Sequence, residues 1–316
     1  MQKHTIGTSV LQIAPLVFGG NVFGWTADER ASFSILDTCV EHDLNFIDTA
    51  DTYSAWAEGH QGGESETIIG KWFRKSGKRD KIMLATKVGR LKARPGLSAA
   101  NIEAAVNDSL RRLQTDYIDV YFSHLDDDKT PFEETLGTYQ KLIEAGKVRV
   151  IGASNFTGER LAAALKASKD GGLPAYQVLQ PEYNLYDRES YETDLEPVVQ
   201  AHKLAVITYF SLASGFLSGK YRSSADIAKS ARSPFVKKYL NDRGLRIVDT
   251  LVDVAKRNDT TPTTVALAWI ISRPSVTAPI ASATSVAQLE NLAAATRLQL
   301  PSDDLKQLNE ASAPAR

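Results

Sequence analysis

Short apolar runs, many of them β-branched, alternate along this chain with longer stretches in which apolar residues return every three or four positions. The short runs fall at 16–18, 46–48, 82–85, 117–122, 148–151, 176–179, 205–208 and 276–278. Each is almost continuously apolar and is followed by polar or glycine-rich residues, as strands covered on both faces are. Between them, Ile102, Val106, Leu110 and Leu113 recur at helical spacing behind Ser98, a fitting N-cap. Leu161 and Leu165 mark another helical face, which ends at Gly171-Gly172. Strands and helices in this alternation predict a single (β/α)₈ TIM barrel, with 1–316 as one domain. A Rossmann sheet is the competing architecture. Its G-x-G-x-x-G phosphate turn is missing, because Phe18-Gly19-Gly20-Asn21-Val22-Phe23-Gly24 has another spacing.

Two segments fall outside the repeat. Residues 4–11 read as an N-terminal β-hairpin ahead of the first barrel strand. After the seventh strand lies more chain than one crossover needs. It reads as a long loop over 215–234, an extra helix over 236–257 and a further helix over 263–272.

Composition narrows the partners. Lys and Arg number 37 against 38 Asp and Glu, a net charge of -1, which gives no electrostatic footprint for nucleic acid or an anionic membrane. No stretch approaches the ~18 apolar residues of a membrane span, and the first residues lack an apolar signal core. A cytoplasmic protein is expected. The single cysteine, Cys39, shares an apolar face with Leu36 and Val40 and reads as core. The histidines show no metal-ligand spacing, so no metal is expected. The oligomeric state is not encoded in any pattern found.

The chemistry is expected where a barrel keeps it, at the C-terminal ends of the strands. The second strand ends in Asp48, with Tyr53 five residues on. The third ends in Lys87, the fourth in Ser123-His124, the fifth in Ser154-Asn155, the sixth in Gln180 and the seventh in Tyr209. Taken singly, Asp48 reads as a turn residue, Lys87 as a solvated strand end and His124 as a loop histidine. On successive strand ends they converge on one pocket. Asp, Tyr, Lys and His together suit proton transfer to a carbonyl oxygen. A lysine ammonium beside a tyrosine favours its phenolate, an aspartate fixes the lysine, and a histidine orients the substrate oxygen.

These residues sit in longer motifs that resemble the aldo-keto reductase superfamily, its bacterial reductases and potassium-channel β subunits above all. They are Phe46-Ile47-Asp48-Thr49-Ala50-Asp51-Thr52-Tyr53, Gly63-Glu64-Ser65-Glu66, Gly146 through Phe156, Gln180-Pro181-Glu182-Tyr183-Asn184, Tyr209 through Gly215 and Gly215 through Tyr221, in the family's order. The resemblance implies reversible reduction of an aldehyde or ketone, with Tyr53 as general acid/base and Asp48, Lys87 and His124 as its partners. It implies NADP(H) as the preferred cofactor, with NAD(H) also open because 281–285 carries no arginine or lysine. Ser154, Asn155 and Gln180 would hold the carboxamide, Tyr209 would stack on the ring, and Gly20, Ser211, Leu212, Ser214 and Lys220 would lie along the cofactor. Ser282, Thr284, Gln288 and Asn291 would bind the adenosine phosphate. The loop over 220–234 is expected to close on the pyrophosphate, with Lys220 and Arg232 as charge partners. Asn21, Phe23, Trp25 and Trp56 are expected to line the substrate pocket, though Trp56 reads equally as loop packing. The partner is thus a small carbonyl or alcohol. A cofactor-binding regulatory subunit on the same fold, and a Schiff-base aldolase using Lys87, are the rival functions.

Overall fold

In a computed structural model, residues 2–228 and 233–314 are described. The hairpin strands are β1 (His4–Thr5) and β2 (Gln12–Ile13), antiparallel. Eight parallel strands follow: β3 (Val17–Gly19), β4 (Phe46–Asp48), β5 (Met83–Val88), β6 (Ile118–Ser123), β7 (Val148–Ser154), β8 (Val178–Gln180), β9 (Ala205–Thr208) and β10 (Ala278–Ala281). They pair in sequence order, and β10 closes on β3 through Ile280 opposite Val17. The expected (β/α)₈ barrel with an N-terminal hairpin is therefore the observed fold.

Apolar residues fill the barrel. Val17, Phe46, Ala85, Val120, Phe122, Val150, Val178 and Ile207 point inward, and the hairpin's Ile6, Leu11 and Ile13 pack on the same cluster as its floor. Gly152 on β7 is a packing requirement: a Cβ there would lie 2.4 Å from the Phe122 ring. The second apolar layer lies between the strands and the surrounding helices, in two clusters that include Cys39, Trp72, Tyr139 and Trp269.

Several strands run further than their apolar runs. β5 continues through Thr86 and Lys87, and β7 through Ser154, because buried partners satisfy these polar side chains. β10 begins two residues later than expected, at Ala278. The insertion after β9 also differs. The expected loop contains a 3₁₀ segment (Ala213–Ser218) and a short helix (Ser224–Ala228). The extra helix starts at Asp242, not 236, because the Asn241 side chain accepts the Gly244 N–H as an N-cap. Arg232 lies outside the described residues.

Candidate active site

The C-terminal ends of β4 and β5 bring three ionisable groups into contact. Asp48 is the last residue of β4 and Lys87 the second-last of β5, and neither is more than 1% exposed. The Lys87 Nζ donates to Asp48 Oδ2 at 2.6 Å, to the Thr49 carbonyl at 2.8 Å and to the Tyr53 hydroxyl at 2.8 Å. All three ammonium protons are thus used, which a buried lysine requires. The Tyr53 hydroxyl donates to Asp48 Oδ2 at 3.0 Å, and Gln180 Nε2 donates to Asp48 Oδ1 at 2.9 Å. Tyr53 reaches this position because Ala50 through Ala57 turn tightly over the barrel mouth. Ser54 takes a left-handed φ of 75° and ties its hydroxyl to the Phe23 carbonyl at 2.9 Å.

Burial, and then the Asp48 carboxylate, push the Tyr53 hydroxyl well above the usual phenol value. The sequence suggested a lowering by Lys87. That is reversed here because burial disfavours the phenolate and the Asp48 carboxylate adds to that effect. Burial lowers Lys87 from the usual amine value, and Asp48 opposes that lowering. Tyr53 is therefore a neutral phenol held against an ammonium. Burial, followed by the charges of Lys87 and Arg90, pushes His124 well below the usual imidazole value, so its ring is neutral. The His124 and Tyr53 ring centres are 6.1 Å apart, and His124 Nδ1 is buried without a partner among the described residues.

The residues expected on the cofactor side gather at the ends of β7, β8 and β9. Asn155 Nδ2 donates to the His124 carbonyl and to Ser154 Oγ, and its Oδ1 accepts the Tyr209 hydroxyl at 2.8 Å. Ser154 Oγ donates to the Gln180 carbonyl. Gln180 keeps its own Oε1 clear of any hydrogen bond among the described residues, an acceptor for a carboxamide N–H₂. The Tyr209 ring is fixed at its hydroxyl end, as a stacking platform requires. Beyond β9, Ala213, Ser214 and Gly215 all take positive φ, and the Lys220 ammonium lies over this turn. Ser211 turns its hydroxyl inward to the Thr208 carbonyl, so only its backbone is open to a ligand. Leu212 is partly buried against the outer core. Gly20 carries no side chain between the Asp48 carbonyl and Ser65, and its own carbonyl accepts the Ser65 hydroxyl.

At the end of β10, Ser282 donates to Asn21 Oδ1 at 2.6 Å, which puts Asn21 on this side of the barrel mouth. Ser285 caps the next helix, Val286–Ala294. The Thr284 N–H and hydroxyl both bond Gln288 Oε1, and Asn291 is exposed one turn further on. This donor set, with no acid from 281 to 288, suits a phosphate.

The aromatics expected at the substrate divide. Trp56 is 49% exposed, with its ring 6.0 Å from that of Tyr53 and 5.5 Å edge-on from that of Trp25. These two rings form a wall beside the Tyr53 hydroxyl. Phe23 does not join them: it is fully buried and stacked on Phe18 in the outer core, because its apolar ring completes that layer under the loop. A cavity of about 510 Å³ opens beside Asn155 and Tyr209, lined also by Pro181, Glu182 and Tyr186. The apolar pattern hid Thr49 and Asp51. Asp51 is 1% exposed with both carboxylate oxygens unpartnered among the described residues, and its place in the motif Phe46 through Tyr53 is what signals it. Among the described residues no group of His, Cys, Asp and Glu is arranged to hold a metal.

A closed barrel with a buried Asp–Lys–Tyr contact and amide donors on the next strands is the frame of a nicotinamide-dependent oxidoreductase. The Aldo/keto reductase family model matches residues 15–313, and the chain belongs to that family. It is 32% identical to the Bacillus subtilis (strain 168) protein named "Uncharacterized oxidoreductase YrpG", over 98% of this chain and 95% of that one. It is 33% identical to a "Probable voltage-gated potassium channel subunit beta" of Arabidopsis thaliana, over 92% and 89%. It is 30% identical to "Aldo-keto reductase yakc [NADP(+)]" of Schizosaccharomyces pombe (strain 972 / ATCC 24843), over 90% and 83%. The chain is an NAD(P)H-dependent oxidoreductase. No helix among the described residues is long and apolar enough to cross a membrane.

Proposed function

We propose that this chain, acting as one domain, reversibly reduces an aldehyde or ketone to an alcohol with NADP(H), and that Tyr53 supplies the proton. The observation that carries this reading is the Tyr53 hydroxyl held 2.8 Å from the Lys87 ammonium and 3.0 Å from Asp48 in a buried site. The cofactor, when bound, supplies the hydride. Ser154, Asn155 and Gln180 orient its carboxamide and Tyr209 packs on its ring. Lys220 and the turn at Ala213 to Gly215 would receive the pyrophosphate. Tyr53, kept protonated by burial, gives its proton to the carbonyl oxygen. The phenolate that forms is balanced at once by Lys87, whose charge Asp48 maintains and whose position Thr49 fixes. His124, a neutral ring, donates a hydrogen bond to the same oxygen. The residues of 220–228 are read as a closing segment, whose amide exchange should slow when NADPH is added.

NADPH is preferred in this reading because 281–288 offers hydroxyls, an amide and a helix start with no repelling acid. The yeast relative's name carries NADP(+) as well. The balanced charge of the chain supports a cytoplasmic setting and a small-molecule partner. A regulatory subunit on the same fold is the second reading, raised by the channel-subunit relative; the intact Asp48–Lys87–Tyr53 contact favours turnover.

The test is steady-state loss of NADPH with an aromatic aldehyde. Tyr53→Phe should lower kcat by about 10²–10⁴ with cofactor binding nearly intact. Equal kcat in mutant and parent would remove Tyr53 from the mechanism, and no turnover in the parent would favour the regulatory reading.

A further inference from the structure

Of the three acceptors around the Lys87 ammonium, Asp48 and Tyr53 bond each other, and the third, the Thr49 carbonyl, is held from elsewhere. Thr49 follows β4, and its N–H donates to the Ala85 carbonyl of β5 at 2.8 Å. Its hydroxyl lies 2.8 Å from that of Ser65, the second residue of the helix Glu64–Ser76. Ser65 in turn donates to the Gly20 carbonyl at 2.8 Å. A serine has one hydroxyl proton, and a carbonyl can only accept. The Ser65 proton therefore goes to Gly20, and the Thr49 hydroxyl donates to Ser65 Oγ. Thr49 and Ser65 are both fully buried, so bulk solvent reaches neither hydroxyl.

The far end of this chain of bonds is fixed. In the 3₁₀ turn Gly20–Val22, the Gly20 carbonyl also accepts the Phe23 N–H at 3.0 Å, and Asn21 Oδ1 accepts the Ser282 hydroxyl at 2.6 Å. A Cβ on Gly20 would lie 3.1 Å from both the Asp48 carbonyl and Ser65 Oγ, so the turn packs directly on the end of β4. Thr49 is thus gripped at its N–H and at its hydroxyl, and a β-branched side chain so held has little χ1 freedom left. Its carbonyl direction follows. The next residue opens the turn that carries Tyr53, whose N–H donates to the Ala50 carbonyl at 3.2 Å. We infer that Ser65 is a positioning residue: by holding the Thr49 hydroxyl it sets the carbonyl that fixes the Lys87 ammonium against Tyr53. This rests on the reductase reading of Tyr53, in which that ammonium balances the phenolate. Without the Ser65 hydroxyl, the buried Thr49 donor loses its acceptor, which is costly enough to turn the side chain and the peptide with it. A serine that only anchors its helix predicts otherwise: a lower Tm with the chemistry unmoved.

The experiment uses the full-length enzyme with NADPH and 4-nitrobenzaldehyde, and with NADP⁺ and benzyl alcohol for the reverse direction. Ser65→Ala should lower kcat about tenfold, the scale of one lost buried hydrogen bond, while the KM for NADPH stays within about threefold. In alcohol oxidation Tyr53 must be a phenolate, which the ammonium favours, so a less well placed Lys87 moves the rise of kcat/KM towards higher pH. Ser65→Thr keeps the hydroxyl and should return the pH profile to that of the parent. A Ser65→Ala enzyme with a lower Tm and an unmoved pH profile would overturn the proposal. NMR of isotope-labelled lysine ammonium groups gives a readout free of turnover, with Lys87 assigned as the signal missing from Lys87→Arg. Its protons should exchange with water about tenfold faster in Ser65→Ala than in the parent, because one of their three acceptors is no longer held. A protein that turns over neither substrate but shows that Ser65-dependent exchange would fail the reductase reading and uphold Ser65. Unchanged exchange in a folded Ser65→Ala protein would overturn the role of Ser65 whatever its activity.

Discussion

Asp51 and Tyr53 lie two residues apart, and burial raises the proton affinity of both. At Tyr53 the result, in the proposed mechanism, is a donor beside a buried ammonium that would balance its negative charge. At Asp51 there is no receiver. Burial, followed by repulsion from Glu66, raises its carboxyl to about 7, against opposing pulls from Arg112, Arg94 and Lys87. Glu66 has its own partners, Thr86 at 2.6 Å and Arg112 at 2.6 Å, so the arginine is already engaged. The folded chain thus holds a proton on Asp51 at a pH where the unfolded chain, with its usual 3.8, has lost it. Stability tied to this group is full below pH 3.8 and is lost progressively as pH rises towards 7. The difference amounts to about 4 kcal/mol. Asp51→Asn removes the ionisation and keeps the shape. The gain in Tm from the substitution should be larger at pH 8 than at pH 5, and an equal gain at both would show that Asp51 does not titrate in this range. Lys87→Met acts at the same scale with the opposite sign. It leaves Asp48 buried without its ion pair, which costs about 3–5 kcal/mol when one partner is removed. Its thermal melt should fall along with its kcat, whereas Tyr53→Phe should lose activity with little change in Tm.

At the level of elements, apolar runs located all eight barrel strands within a few residues, because a strand covered on both faces has no polar positions to blur it. They missed the polar ends. Lys87, which taken singly reads as a solvated strand end, lies inside β5 because Asp48, Thr49 and Tyr53 take its three protons. Phe23 was expected at the substrate and is core, since its ring direction depends on the 3₁₀ turn Gly20–Val22, which no periodicity encodes. Tyr53 and Trp56 meet only through the turn at Ser54. Motifs identified such residues as candidates; tertiary turns assigned them their neighbours. The helix Val286–Ala294 makes the same point for the cofactor. Its capping serine holds the Gln288 N–H, and Gln288 Oε1 holds the Thr284 N–H and hydroxyl, so part of the donor set at its start is already engaged. A phosphate bound there must displace Gln288 Oε1 from the Thr284 N–H, which limits the gain. NADPH should therefore exceed NADH in kcat/KM by only about one decade, the size of one or two hydrogen bonds to a charged group. Thr284→Arg adds a planar cation and should widen the ratio. A ratio at or below one in the parent would reassign the hydroxyls to the ribose of NAD.

Across the whole molecule, chemistry and stability occupy opposite ends of the barrel. The far end has its own buried charge cluster. Asp119, in the second position of β6 and 1% exposed, accepts Arg79 and Arg149 at 2.9 Å each and the Leu84 N–H at 2.9 Å. It thereby ties β5, β6 and β7 to the Arg79–Lys81 turn, while Arg79 and Arg149 both lie over the Tyr117 ring. Arg149 is half exposed and would be resolvated if Asp119 were lost. Arg79, at 15% exposure, would not, although the Tyr117 and Ile82 carbonyls would still hold it. Asp119→Ala should therefore cost about 3 kcal/mol, the low end for breaking a buried pair, and lower Tm by roughly 5 °C in a chain of this size. The Asp48–Lys87–Tyr53 contact sits at the other end of the same strands, separated from Asp119 by the apolar filling of the barrel, Phe46, Val120 and Phe122 among it. Arg79 stays tied to the Tyr117 and Ile82 carbonyls and Arg149 is free to resolvate, so the packing between the two ends is undisturbed and kcat/KM at 25 °C should match the parent. Differential scanning fluorimetry beside steady-state kinetics separates the two quantities. A folded Asp119→Ala enzyme with a several-fold lower kcat would show that the floor of the barrel sets the geometry of its mouth.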